Sequence, residues 1–171
     1  MVDGMSKQKR VASLIADQLA SCDVKLVTSL PDNWINELLD TIERDERFTH
    51  LPVNREESAI GVCAGAYMGG LGSVAMMGAS GFMTVIYAVT KINYTYEIPI
   101  LIFVTLRGAF GDAQKGHASN GLYLQPILRA INMPYAIIDK EEDIPKISTI
   151  YKHTKKLFRP SVIAFTRDLL Q

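Results

Sequence analysis

The side chains best suited to proton and anion chemistry crowd into one polar stretch, where Arg107, Asp112, Gln114, Lys115 and His117 follow an apolar run. A histidine such as His117 can give or take a proton, and the forked donors of Arg107 suit bidentate contact to an oxyanion. Asn54-Arg55-Glu56-Glu57 sets two carboxylates side by side at a candidate helix start. Pro31-Asp32-Asn33 and Ser80-Gly81-Phe82 are two further polar turns, each placed after an apolar run. Gly78-Ala79-Ser80-Gly81-Phe82 approaches a nucleophile elbow, but its second glycine comes one position early, which speaks against serine hydrolysis. No GxGxxG follows a strand and no GxxxxGK[ST] occurs. His50, His117 and His153 lie far apart without metal-ligand partners at helical spacing, so no metal site is expected, and His50 and His153 read as solvated surface residues. Cys22 and Cys63 form neither a disulfide framework nor a metal knuckle and read as buried thiols.

These residues need elements that bring them together. The apolar period alternates between helical stripes and short continuous runs, the pattern of βαβ units. It predicts helices over residues 7–21, from Pro31 and Asp32 through the Trp34, Ile35, Leu38, Leu39 and Ile42 stripe, from Arg55 onward with Asn54 as cap, and over 82–93, 122–131 and 142–156. Strands are predicted over 24–29, 48–53, 73–77, 98–106, 135–138 and 161–165. The expectation is an α/β fold: an open, mostly parallel six-stranded sheet with helices on both faces, in one domain spanning 1–171 after a short polar tail of residues 1–6. Ligands bind such sheets beyond the carboxyl ends of the strands, which points to residues 29–33, 54–57, 78–82 and 107–120. The helix holding Gly61, Gly65, Gly69 and Gly70 is weak in isolation, so close packing against another backbone should compensate.

Composition narrows the function classes. Lys+Arg 18 against Asp+Glu 18 gives zero net charge in 171 residues, without the basic footprint that nucleic acid demands. The apolar runs are too short to cross a membrane, and residues 1–10 do not read as a secretory leader, so a cytoplasmic protein is expected.

The run Pro52-Val53-Asn54-Arg55-Glu56-Glu57, followed by Ala64-Gly65-Ala66-Tyr67, resembles the pyrimidine-binding (Pyr) domain of thiamine-diphosphate enzymes. Within them the chain is most similar to split decarboxylases of sulfopyruvate or phosphonopyruvate. Ser29-Leu30-Pro31-Asp32, Ser80-Gly81, Arg107-Gly108, and Gln114 with His117 keep that family's order over residues 24–165. The family's Ser-Gly-x-Gly-Asn becomes Ser80-Gly81-Phe82-Met83-Thr84, a departure at the cofactor side.

The resemblance implies that a carboxylate after the second strand, Glu57 or its neighbour Glu56, hydrogen-bonds the aminopyrimidine and so promotes loss of the thiazolium C2 proton. Glu57 is the first choice and would need a raised pKa. Pro31, Ser80, Gly81 and Phe82 would contact the cofactor, and Asn33, Arg107, Gln114, Lys115 and His117 the substrate. His117 would protonate the decarboxylated product. Asp32 would either lie over the reacting centre or merely cap the Trp34 helix. The family's Gly-Asp-Gly diphosphate motif is absent, since Gly111-Asp112-Ala113 lies on the wrong loop. The resemblance therefore implies a Pyr-type subunit that binds thiamine diphosphate together with a diphosphate-binding (PP-domain) beta subunit, which holds Mg2+, in a heterotetramer acting on a small anionic 2-oxoacid. A carboligase subunit and a non-catalytic pairing subunit are the alternatives.

Overall fold

The computed structural model describes residues 5–109 and 112–171. Three apolar runs become strands buried on both faces: β3 (Gly72–Gly78), β4 (Leu101–Thr105) and β6 (Ser161–Phe165). Continuous burial of that kind belongs to parallel sheets covered by helices on both sides. β1 (Val24–Ser29) joins them, and the more exposed β2 (Thr49–Pro52) and β5 (Tyr135–Ile138) form the edges. The order is β2-β1-β3-β4-β6-β5, every pair parallel. The expected open parallel sheet is therefore the observed one.

Two apolar layers flank it. On one face α1 (Lys7–Ser21), α2 (Asn36–Glu43), α7 (Lys146–Leu157) and α8 (Arg167–Leu170) bury Ile15, Leu19, Leu38, Ile42, Ile147 and Leu169. On the other, α3 (Glu56–Met68), α4 (Ala79–Thr84), α5 (Ile86–Ala88) and α6 (Ala118–Ala130) bury Ile60, Cys63, Phe82, Leu124 and Leu128. Membrane-spanning length is not reached by any helix among the described residues.

Several boundaries differ from the sequence reading for local reasons. α2 starts at Asn36, not at Asp32, because Asp32 closes a tight turn first: its carboxylate accepts the Trp34 N–H at 3.0 Å and its carbonyl the Ile35 N–H at 2.9 Å. The helix expected over 82–93 begins at Ala79 and breaks into α4, α5 and a π-helical turn over Val89–Tyr94. The break coincides with the β-branched run Thr84-Val85-Ile86, where Thr84 Oγ1 donates to the Gly81 carbonyl at 2.8 Å. Asn54 does not cap α3; Arg55 holds that position without a side-chain bond. Helix α8, unforeseen in sequence, exists because Leu169 and Leu170 bury against the α1 side.

The chain runs outward from β1 to β2 and then returns to lay β3 on the other side of β1. Such a reversal leaves a crevice at the carboxyl ends of the two strands. The turns after β1 and β3 meet there.

Candidate functional site

A cleft of about 340 Å3 fills that crevice, lined by Leu30, Pro31, Asp32 and Asn33 after β1, Glu56 at the start of α3, Gly78, Ser80 and Gly81 after β3, and Arg107 and His117 after β4. All four strand ends named in the sequence reading contribute. Two glycines keep it open. A Cβ at Gly78 would meet Asp32 Oδ2 at 2.6 Å, and one at Gly81 would overlap the Glu56 carboxylate. Glu56 therefore lies directly over the first turn of α4.

Opposite it runs a chain of charged side chains. Asp32 takes a bidentate pair from Arg107, Nε to Oδ2 at 2.7 Å and Nη2 to Oδ1 at 2.6 Å, with both side chains only 11% exposed. Thr105 Oγ1 adds a longer contact to Oδ2 at 3.4 Å. The guanidinium lies over the Trp34 ring, 4.6 Å from its centroid, and its Nη1 lies over the His117 ring, 2.9 Å from Nε2 and 3.5 Å from Nδ1. His117 Nδ1 in turn sits 2.9 Å from Asp112 Oδ2. Loop and helix are locked together beneath this chain: Gly108, at φ +78°, and Gly121 pack backbone to backbone, and a Cβ on either would collide with the other.

The backbone N–H of Gly108 first, working against burial, and then that of Gln114 and the His117 ring hold the Asp112 carboxyl down to about 2. A carboxyl depressed on folding stabilises the fold above its unfolded value and loses that contribution as pH falls through its folded value. Urea midpoints of the wild-type chain and of Asp112→Ala should therefore differ at pH 6 and converge between about pH 4 and 2. A constant gap across that window would mean that the carboxylate charge contributes nothing there.

The structure sorts the expected site residues into two sets. Pro31, Asp32, Asn33, Ser80, Gly81, Arg107 and His117 meet in the cleft. Glu57 does not: its carboxylate turns to Arg55, 3.3 Å away. Its own backbone N–H first, and Arg55 second, hold it below the ordinary carboxylate range, opposite to the raised value its expected role required. Helical spacing explains the difference, because neighbouring residues diverge by about 100° around a helix and only one can face the crevice. Phe82 is fully buried among the α3–α4–α6 apolar residues, its ring away from the cleft. Gln114 and Lys115 are exposed and do not line it. His50 is half-buried, its side chain only 8% exposed: it stands opposite Val27 in the β1–β2 register and reaches the next residue on that face, Ser29, Oγ to Nε2 2.8 Å. Cys63 is buried as expected, and Cys22 is half-buried. Among the described residues no group of three or more His, Cys, Asp or Glu could hold a metal.

Two contributors escaped the sequence reading. Asn120 is buried at the start of α6 and donates from Nδ2 to Ser80 Oγ at 2.9 Å, which leaves the Ser80 hydrogen free to point elsewhere. Trp34, read only as part of a helical stripe, supplies the apolar floor beneath Arg107. No spacing signal could have found either, since each acts across elements remote in sequence.

Comparison with known proteins bears on this geometry. Residues 9–122 match the family described as thiamine pyrophosphate enzyme, N-terminal TPP binding domain. The chain is 35% identical over 112 residues to sulfopyruvate decarboxylase subunit alpha of Methanococcus maripaludis, covering 66% of this chain and 67% of that one. It is 28% identical over 152 residues to sulfopyruvate decarboxylase subunit alpha of Methanocaldococcus jannaschii, covering 88% and 90%. Against phosphonopyruvate decarboxylase of Streptomyces viridochromogenes it is 26% identical over 133 residues, spanning 77% of this chain but only 33% of that longer protein. With its matching segment carrying the β1–β3 crevice, Glu56, Arg107 and His117, the chain belongs to the N-terminal, TPP-binding domain family of the thiamine pyrophosphate enzymes.

Proposed function

We propose that this chain is the Pyr-type subunit of a two-subunit thiamine-diphosphate-dependent decarboxylase. Its substrate would be a small 2-oxoacid bearing a second anionic group, of the sulfopyruvate or phosphonopyruvate kind, released as an aldehyde. The observation that carries this reading is the Glu56 carboxylate over Gly81, which faces a crevice whose far wall is Arg107 and His117. Glu56, not Glu57, is then the carboxyl that shares a proton with the cofactor's pyrimidine. It accepts no hydrogen bond from a side chain among the described residues, and the missing Cβ of Gly81 is what lets it lie against the start of α4. Thiamine diphosphate, when bound, supplies a carbon nucleophile that also accepts the electron pair released with carbon dioxide.

The chain's own residues do the rest. Arg107 has only Nη1 directed away from Asp32, so its anion contact is made beside His117 rather than by its fork. Asp32 is held rigid by Arg107 and the Trp34 N–H and works as a fixed charge at the mouth of the β1 turn. His117 is the group positioned to move a proton to the product carbon. The diphosphate and Mg2+ fall to the partner, because Asp112, in the chain's one Gly-Asp pair, points into its own loop. The names of the two archaeal relatives as alpha subunits support a partner.

The test is reconstitution. Alone, the chain should turn over neither sulfopyruvate nor phosphonopyruvate; with a diphosphate-binding partner chain and Mg2+ it should release carbon dioxide and aldehyde. Acyloin as the only product would point to carboligation, and turnover without a partner would overturn the split enzyme.

A heterotetramer also needs surface. Nothing lies within 4 Å of a Cβ built on Gly61 or Gly65, and Met68 on the same helix is 78% exposed, so this stretch of α3 does not pack inside the chain and is open to a subunit contact. Replacing both glycines with alanine should stabilise the isolated chain by about 1–2 kcal/mol through helix propensity, while the added methyls weaken assembly with the partner or a second copy. Unchanged sedimentation of the reconstituted complex would show that α3 stays in solvent.

A further inference from the structure

His117 has a carboxylate neighbour that imposes one protonation pattern on its ring. On one side stands Asp112, its side chain 5% exposed, whose Oδ2 lies 2.9 Å from Nδ1. The same carboxylate accepts the Gly108 N–H at 2.9 Å and the Gln114 N–H at 3.1 Å. An ionised carboxylate only accepts hydrogen bonds, so Nδ1 must carry the hydrogen. Arg107 Nη1 lies 2.9 Å from Nε2 and 3.5 Å from Nδ1, over the ring face and not along the Nε2 lone pair, so the tautomer is left to Asp112. The reverse tautomer would set a lone pair against the carboxylate.

We infer that Asp112, outside the cleft lining, is a positioning residue: it fixes His117 as the Nδ1–H tautomer and leaves Nε2 as the ring's acceptor nitrogen, beside Arg107. Three observations support a built device rather than a chance contact. Asp112 is oriented by two backbone N–H groups of its own loop. The Gly108–Gly121 backbone contact fixes the distance between that loop and the helix His117 precedes. The Trp34 ring, its centroid 6.4 Å from that of the imidazole and nearly perpendicular to it, closes another side. The consequence for reactivity is specific. In the resting arrangement Nε2 carries no hydrogen, so it must take a proton before it can give one. That consequence for turnover rests on the role of His117 in the proposed decarboxylation; the tautomer does not.

The measurement is a long-range 1H–15N correlation spectrum of the full chain at a pH where its imidazoles are neutral, with the His117 signals identified by their loss in His117→Gln. The wild-type protein should show a protonated Nδ1 and an unprotonated Nε2. Asp112→Ala should shift His117 mostly to the Nε2–H form and leave His50 and His153 unmoved. A wild-type Nε2–H tautomer overturns the inference even if the variant fails to fold, and so does a folded Asp112→Ala with its His117 tautomer unchanged. In the reconstituted complex Asp112→Ala should lower kcat about a hundredfold, the scale of a lost general acid, with KM within a few-fold. A correct tautomer in a complex that never decarboxylates would sink the proposed reaction and leave the positioning role standing.

Discussion

Glu56→Gln is expected to cut turnover of the reconstituted complex by at least about a hundredfold, while Glu57→Gln leaves it within a few-fold. The amide keeps the size and the hydrogen-bonding reach of the side chain but cannot exchange a proton, so the loss isolates proton sharing from packing. Glu57 differs because it faces Arg55 and is held ionised there; losing it removes an exposed ion pair of small energetic weight. Exchange of the cofactor's C2 proton, followed in deuterium oxide, is the more direct reading and should slow in parallel with turnover for Glu56→Gln. The reverse ranking of the two variants would mean that the crevice is entered from the other face of α3.

Arg107→Met should destabilise the isolated chain by about 3 kcal/mol or more, because it strands the Asp32 carboxylate in a site 11% exposed. Loss of the cation from the face of Trp34 adds to that. Adding Asp32→Asn to the variant should recover part of the deficit, since the uncompensated charge is the larger share of the cost. Urea denaturation followed by the fluorescence of Trp34, the only tryptophan in the chain, reads both effects at their source. A single-variant cost below about 1 kcal/mol would place the pair with solvent-exposed ion pairs and remove the argument that Asp32 is a fixed charge.

The elements were legible because burial writes them into the residue pattern. Residues 101–105 and 161–165 are continuous apolar runs since both of their faces are covered, and the stripe of Val11, Ile15 and Leu19 has the period of one buried helix face. The turn at Asp32 and the late start of α2 were less legible, because an Asx turn and a helix cap use the same residue type in the same place. Helix α8, by contrast, came from packing partners far along the chain.

What the sequence determined by itself is the inventory and its approximate address: a parallel α/β sheet, carboxylates after β2, a serine-glycine pair after β3, and an arginine and histidine after β4, all at strand ends where such sheets open. What only the tertiary structure decided is which member of each set faces the crevice and in what state. Glu56 was separated from Glu57 by a rotation about a helix axis, Asp32 from a mere cap by an arginine 75 residues away, and Asp112 from an idle loop residue by three converging N–H groups. Local sequence encodes helix phase and strand period well, because neighbouring residues set them. Side-chain direction into a shared cleft and the hydrogen-bond partners of a carboxylate depend on where remote backbones come to rest, and that is a property of the packed chain alone.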